Sequence, residues 1–538
     1  MATNTHTPDV IKPVTGDLDK HPPGLYVLFA TEMWERFGFY SMLALFTLYL
    51  QDVDQGFGWT DSRATNLYSW YLMFVYASPL LGGWLADKFL GYRRAVLIGG
   101  LIFMIGYFTL SVHSLAAVYT ALVLLVVGNG FFKPNVSTMV GNLYPEGSHL
   151  KDRAYNIFYM GINIGAAVAP VLMEYTKRHI GYGPSFAIAG LGMIVSVSVL
   201  FKFKRQVEMP EHKATPKAQS DAAAVAVDAP PTGISRQAMM EAVPEWKRVG
   251  ALIVIFLIVI VFWMAFHQNG ATLTYWADEN TDWNVSGTFS QFINPFWIIT
   301  LTFPLVWFWK LLDKRGMEPS TPTKIAIGMF LTGVSFTILY FAARTGEATQ
   351  VQSSQFAAGS YRLTERSLDD LRAEGIPAGV LASLEAKDAD GKTVVKDKKF
   401  ASDDKGTGEQ KLMAALSTAL GPPQAAQYRE PILRHAYLFR VSPLWLILAY
   451  MVISLGELML SPMGLSLVSK VAPIRMRGLL MGGWFVATAI GNKLTAIGVY
   501  WSIWKHSSFF IILGGMAFFM AVVLLFLLRP LKKAMPGV

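Results

Sequence analysis

Charged residues lie in the middle of a long apolar stretch near the start of the chain. The stretch runs from about Gly24 to Leu50 and carries an acidic and basic cluster. The cluster consists of Glu32, Glu35 and Arg36. A charge near mid-membrane costs roughly 2.5–3.5 kcal/mol on insertion scales, so three charges this close together need a functional reason. Their i, i+3, i+4 spacing puts them on one helix face, where they leave a net negative, protonatable cluster.

Further polar residues interrupt later apolar segments at comparable depth. At about 1.5 Å of rise per residue, Lys133 lies roughly 10 Å inside its segment, Asn163 about 15 Å and Glu457 about 18 Å. Asn294 lies roughly 24 Å from the same membrane face. A cavity with Arg36 and Lys133 on one side and Glu457 on the other would have two charged poles. Such poles suit a zwitterion, which can make charge-assisted hydrogen bonds at both of its ends.

Aromatic side chains at similar depth could line pockets around such a ligand. These side chains are Tyr40, Tyr76, Tyr159, Trp263 and Trp484. Each candidate also has a structural explanation, because charges can form ion pairs, asparagines can join helices and aromatic rings can simply pack. Lys493 is expected to snorkel to water. His267 is either an interior histidine with satisfied nitrogens or a pH-sensitive element.

The composition is that of a membrane protein. Hydrophobic residues make up 53% of the chain and charged residues only 15%, whereas soluble domains are about a quarter charged. The net charge of +9 comes mainly from short loops beside apolar segments, so we discard a nucleic-acid partner. The chain has no cysteine, which excludes disulfides, thiol catalysis and cysteine-bound metals. No cofactor and no metal are expected.

The apolar segments predict an all-α polytopic membrane protein with twelve transmembrane helices in two six-helix halves. The predicted spans are 25–50, 63–86, 93–111, 115–140, 153–176, 184–203, 248–276, 287–310, 322–343, 442–469, 477–503 and 508–529. Basic residues follow spans two, six, eight and ten, so these loops and the N-terminus are expected in the cytoplasm. Lys177, Arg178 and His179 are an exception on the outer side.

The spans divide the chain into predicted domains. They are a cytoplasmic tail 1–23, a first bundle 24–203, a cytoplasmic linker 204–246, a second bundle 247–343 and 441–529, an extracytoplasmic insert 344–440 and a tail 530–538. Stretches 367–386 and 409–420 of the insert have helical periodicity. The loops Asp87–Gly91 and Asp313–Gly316 occupy corresponding places in the two bundles and could interlock as gate loops. Two six-helix halves joined by a central linker are the architecture of transporters that work by alternating access.

Five motifs resemble those of the proton-dependent oligopeptide transporters of the major facilitator superfamily. Glu32–Tyr40 is similar to the signature ExxERFxYY, with Phe39 in place of a tyrosine, and Gly82–Gly91 is similar to the second signature. The other three are Phe131–Asn135 (FKPN), Phe158–Gly165 (FYxxINxG) and Gly456–Pro462, the glutamate motif of span ten. The resemblance covers both bundles and leaves out the linker and the insert.

The resemblance implies a symporter that imports di- and tripeptides together with protons. The substrate-binding residues it implies are Arg36, Tyr40, Tyr76, Lys133, Tyr159, Asn163, Trp263, Asn294, Glu457 and Trp484. The proton-coupling residues it implies are Glu32, Glu35, Arg36 and Lys133. A monomer in the bacterial inner membrane is expected, with both termini cytoplasmic, driven by the proton gradient and without enzymatic activity.

Several positions differ from the family pattern. Many relatives pair an arginine and an acid as an outer gate where this chain has Leu43 and His267. Relatives that couple through a histidine of span two have it where this chain has Ser69. The linker has no apolar run for the two extra helices of many bacterial relatives. We therefore expect outward closure without that ion pair, and coupling through the carboxylates.

Three other functions stay open. The same fold could carry nitrate or another organic solute, although Glu457 argues against a small anion. The protein could be a peptide receptor that binds without transport, with the insert as its contact domain. A membrane hydrolase is the weakest alternative, because no metal or nucleophile arrangement is visible in the sequence.

Overall fold

The first half of the chain is a bundle of long helices. The computed structural model describes residues 20–144, 150–207, 242–349, 353–387, 393–403, 406–473 and 476–536. Most of the predicted N-terminal tail and linker lies outside these ranges. The helices are α1 (Pro23–Gln51), α2 (Asp61–Leu85), α3 (Tyr92–Leu110), α4 (Leu115–Asn142), α5 (Leu150–Ile180) and α6 (Tyr182–Lys202).

The second half repeats this arrangement and contains the insert. It begins with α7 (Glu245–Phe266), α8 (Thr272–Glu279), α9 (Gly287–Lys314) and α10 (Thr321–Glu347). The insert follows with β1 (Tyr361–Arg362), α11 (Glu365–Ala373), α12 (Ala378–Leu384), β2 (Lys399–Phe400), α13 (Gly408–Leu420), α14 (Pro422–Gln427) and α15 (Arg429–Ala436). The bundle ends with α16 (Pro443–Val471), α17 (Arg477–Leu494) and α18 (His506–Ala534).

The predicted spans coincide with these long helices to within a few residues, with two breaks. Span seven is interrupted by a 3-10 turn, His267–Gly270, between α7 and α8, and α17 gives way to a 3-10 turn, Thr495–Tyr500. Helix α18 continues to Ala534, so much of the predicted C-terminal tail is helical. Among the described residues, 9 helices are long and apolar enough to cross a membrane. The count of twelve therefore stays a prediction.

The packing within and between the halves follows one pattern. In the first half α1 packs on α5 and α6, and in the second α7 packs on α17 and α18. Between the halves α2 packs on α17, and α5 packs on α9. The second and fifth long helices of one half thus meet the fifth and second of the other, as an internal two-fold repeat requires. Gly91 and Gly316, in the corresponding loops, both have positive φ, 74° and 66°.

The insert is a small folded unit with its own apolar core. Its two strands pair antiparallel, with Tyr361 opposite Phe400. Leu368, Leu381 and Leu412 are buried in a cluster separate from that of the helical bundles. The predicted helical stretches overlap α11, α12 and α13. Because the insert lies between α10 and α16, it marks one end of the bundle, here called the insert end, while the opposite end is called the linker end.

The two halves touch closely at the insert end. Thr47 Oγ1 donates to the carbonyl of Gly270 (3.1 Å), and the hydroxyls of Thr65 and Tyr275 are 3.0 Å apart. A Cβ on Gly270 would lie 2.0 Å from the hydroxyl oxygen of Tyr68 in the other half. Further hydrogen bonds join described residues of the two halves at this end, and their donors are Lys177, Arg178, Arg362 and Lys493. The structure is therefore closed at the insert end.

Gly270→Ala is expected to disturb this closure. The added methyl group would overlap the hydroxyl end of Tyr68, so that side chain or the contact between the halves must shift, and overpacking of this kind costs about 1–3 kcal/mol. We expect a lower midpoint of thermal unfolding for purified Gly270→Ala. Gly250→Ala is the matched control, since a Cβ on Gly250 meets no atom within 4 Å. Equal midpoints for the two variants would contradict a close contact at Gly270.

Candidate functional site

The charged cluster of α1 is fully buried and internally paired. Glu32, Glu35 and Arg36 are 1%, 0% and 3% exposed. Arg36 donates through Nε and Nη2 to both carboxylate oxygens of Glu35, and its Nε lies 3.5 Å from Glu32 Oε1. Glu32 Oε2 is buried and accepts no hydrogen bond from the described residues. Of the two acids, Glu32 is therefore the less firmly held by Arg36.

Lys133 begins a chain of contacts that crosses between the halves. Its ammonium lies 4.6 Å from the ring centre of Tyr76, and no described carboxylate forms a salt bridge with it. Tyr76 meets His267 of the other half edge to face at 5.7 Å. His267 stacks on Trp263 at 5.5 Å. The ammonium of Lys133 is thus held by an aromatic face, while remaining near enough to Glu32 for Coulombic interaction.

Glu457 forms the opposite pole, in the second half. Asn294 Nδ2 donates to Glu457 Oε2 (3.0 Å) and to Ser454 Oγ (3.0 Å). This arrangement orients the carboxylate without neutralising it, because an amide carries no charge. No described cation forms a salt bridge with Glu457. A negative group facing the positive groups of the first half is the arrangement that the sequence predicts.

Three tyrosines lie between the poles. Tyr40 is within Coulombic range of Arg36, Tyr76, Glu457 and Tyr159, which belong to both halves. Tyr159 is 41% exposed, although it also lies near Glu457. Tyr159 is thus accessible while lying near the carboxylate of the second half.

Two predicted binding residues have other contacts in this conformation. Asn163 Nδ2 donates to the carbonyl of Tyr159 on its own helix (2.9 Å). Trp484 is 4% exposed, and it packs against Phe256 at 6.0 Å and against the backbone at Gly464. The roles of both residues in binding stay predictions. The other predicted residues are on facing parts of α1, α2, α4, α5, α7, α9 and α16.

Lys493, which the sequence predicts to snorkel to water, also has polar partners on the facing helix. Its ammonium donates to Asn66 Oδ1 (3.0 Å) and Ser69 Oγ (3.1 Å) of α2 and lies 4.2 Å from the ring centre of Trp70. The sequence distance of 427 residues between Lys493 and Asn66 leaves no local pattern that could reveal this contact.

The basic residues at the end of α5 also join the halves. Glu174 forms ion pairs with both Lys177 and Arg178. Lys177 and Glu174 bind Ser286, and Arg178 donates to the carbonyl of Asn284 (2.5 Å). Two of the three residues that depart from the loop-charge pattern, Lys177 and Arg178, thus make contacts across the insert end, while His179 bonds to its own helix. Among the described residues, no cluster of histidines and acids could hold a metal ion.

Two helical bundles related by an internal repeat, with charged and aromatic side chains facing each other between them, define a secondary transporter of the major facilitator fold. A family model described as the POT family matches residues 93–227, 202–360 and 412–508. The chain belongs to the POT family. The resemblance seen in the sequence motifs is thereby confirmed, and the protein is a multi-pass membrane protein.

Relatives and solved structures are similar over most of the chain. The di-/tripeptide transporter of Lactococcus lactis subsp. cremoris is 25% identical, with 96% of this chain and 97% of the relative covered. Dipeptide and tripeptide permease A of Citrobacter koseri is 27% identical, with 88% and 83% covered. The crystal structure of peptide transporter POT in complex with sulfate has a TM-score of 0.70 at 25% identity, covering 97% of both chains.

Proposed function

We propose that this protein imports di- and tripeptides together with protons by alternating access. The observation that carries the proposal is the pair of unlike poles on facing halves: Lys133 near the Arg36 cluster, and Glu457 held by Asn294. A peptide zwitterion has a carboxylate for the first pole and an ammonium for the second. The names of the relatives, which include di-/tripeptide transporters, support the same cargo.

Lys133 is the cation that receives the peptide carboxylate. Arg36 is engaged by both oxygens of Glu35, whereas Lys133 rests on the ring of Tyr76 without a described carboxylate partner. Exchanging a cation–π contact for a charge-assisted hydrogen bond is favourable in a buried site. Binding at Lys133 therefore costs less than binding that must first break the Arg36 pair.

Proton coupling arises from competition for the same cations. Protonating Glu32 gives up one contact of 3.5 Å with Arg36, whereas protonating Glu35 would disturb a two-bond pair. Glu32 is therefore the acid that exchanges the proton. When Glu32 is neutral, Lys133 is free to hold the peptide, and when the peptide leaves, the carboxylate and the ammonium attract each other again. This competition couples the movement of the peptide to the proton gradient.

The orientation, assembly and energy source belong to the same proposal. The linker end faces the cytoplasm, with both termini, and the insert lies on the outer side of a bacterial inner membrane. The basic loops favour this orientation. The protein works as a monomer, uses no cofactor and catalyses no chemical reaction. The proton gradient alone drives accumulation.

Uptake of dialanine into liposomes that contain the purified protein tests the proposal. With an inward proton gradient we expect accumulation above the external concentration, and a protonophore should abolish it. Liposomes without protein give the background. Binding of dialanine without any accumulation would contradict transport and favour a receptor. If dialanine neither binds nor accumulates, the peptide proposal is contradicted in favour of another solute carried by the same fold.

A further inference from the structure

An arginine of the insert joins both halves of the membrane bundle. Arg362 lies in β1 and is 4% exposed. Its Nη2 donates to Asp61 Oδ1 at the start of α2 (2.7 Å), and its Nη1 donates to Glu279 Oε1 at the end of α8. One guanidinium thus bridges a carboxylate of the first half and a carboxylate of the second. Both carboxylates are buried as well.

The insert is otherwise attached to the second half. Lys399 donates to Asp278 Oδ2 (2.5 Å) and to the Asp278 carbonyl (3.0 Å), and the backbone NH of Arg366 donates to the carbonyl of Ser502 (3.1 Å). The insert is also continuous with α10 and α16 of that half. Arg362 reaches the first half through its hydrogen bond to Asp61.

The charges around Arg362 make this contact costly to break. Asp397 of the insert adds a third carboxylate to the surroundings of the guanidinium. Burial raises the pKa of the Asp397 carboxyl, and the Arg362 guanidinium opposes that rise. Asp61 also accepts a hydrogen bond from Gln51 Nε2 (2.6 Å). Removing one member of a buried ion group leaves the others uncompensated.

We propose that Arg362 is a latch of the closed insert end and that the insert moves with the second half. When the halves separate at this end, one guanidinium cannot reach Asp61 on α2 and Glu279 on α8 together. The ties through Lys399 and Arg366 keep the insert on the second half, so the bond to Asp61 breaks. Arg362 is a positioning residue for the cycle, because it acts on the closed state and contacts no cargo. The proposal rests on alternating access but is independent of the transported solute.

Spin-label distances test the latch without any transport assay. The chain has no cysteine, so cysteines can be introduced at exposed Val112 of the first half, Ala382 of the insert and Ile503 of the second half. Pulsed electron–electron double resonance then measures the distances between labels in the pairs 112–382 and 382–503. In R362Q we expect the ratio of long to short 112–382 distances to rise about tenfold, as expected for loss of a charge-assisted hydrogen bond. The 382–503 distance should stay the same.

Two further variants make the test specific. D61N removes the partner on the first half and should shift the 112–382 distances in the same direction as R362Q. R372Q removes an exposed ion pair with Asp369 that lies within the insert, and it should leave the 112–382 distances unchanged. Unchanged 112–382 distances in both R362Q and D61N would overturn the latch. A long 382–503 distance appearing together with the long 112–382 distance would overturn the movement of the insert with the second half. Either result would leave the peptide uptake proposal intact.

Discussion

Lys133→Ala is expected to abolish accumulation of dialanine driven by a proton gradient. In the proposed cycle the Lys133 ammonium is shared between the peptide carboxylate and the Glu32 carboxylate, so the variant loses both the binding contact and the competition that couples the two. The ratio of internal to external dialanine should then not exceed one. Loss of a hydrogen bond to a charged group also lowers affinity by roughly tenfold or more. Uptake into proteoliposomes at several gradient magnitudes measures the effect.

A lysine outside the site provides the control for this prediction. Lys202 lies exposed at the end of α6, and Lys202→Ala should accumulate dialanine like the native protein. Lys133→Arg keeps the charge and should retain part of the accumulation. If Lys133→Ala still concentrated dialanine, and a protonophore still collapsed that concentration, the coupling through Lys133 would be wrong.

The charged site is the part of the molecule that the sequence reveals best. Glu32, Glu35 and Arg36 stand out because each violates the composition of its own helix, which is a local signal. Their contacts with one another also follow from helical spacing. The structure brings Lys133 and Tyr76 together as depth counting allows, although that counting alone could not select the aromatic ring as the partner of the ammonium.

Contacts between distant segments are the part that sequence patterns did not predict. The bond from Lys493 to Asn66 depends on how α17 meets α2, and nothing near Lys493 in the chain encodes that meeting. The same holds for Arg362, which looks like an ordinary charge in a polar insert until the fold puts it between Asp61 and Glu279. Asn163 is a different case, since its amide bonds to its own helix and its role in binding stays a prediction.

The contacts between the halves explain how a family member without the usual outer ion pair can close. Leu43 and His267 occupy the expected gate positions and are both buried. Bonds from Lys493, from Lys177 and from Arg362 of the insert connect the halves at the same end. The closing function is therefore distributed over polar contacts from three different segments. Each of these contacts can be removed by a single substitution, so its contribution to closure can be measured separately.

Glu457→Gln is expected to weaken binding of peptides with a free amino terminus far more than binding of amine-blocked analogues. Glutamine is nearly isosteric, and it can still interact with Asn294 after rotation of its amide, so the shape of the pocket is preserved. What it removes is the negative charge that would pair with the peptide ammonium. A hydrogen bond to a charged group contributes about 1.5–3 kcal/mol, which corresponds to a roughly 10- to 150-fold loss of affinity.

Competition between labelled dialanine and unlabelled ligands measures this selectivity. Dialanine and its N-acetylated form should differ in affinity for the native protein and become similar for Glu457→Gln. Asn294→Ala is the companion variant, because it removes the hydrogen bond that orients the carboxylate but keeps the charge. It should weaken dialanine less than Glu457→Gln and preserve the preference for a free amine. If Glu457→Gln weakened both ligands equally, Glu457 would support the pocket without recognising the ammonium, and the negative pole would have to lie elsewhere.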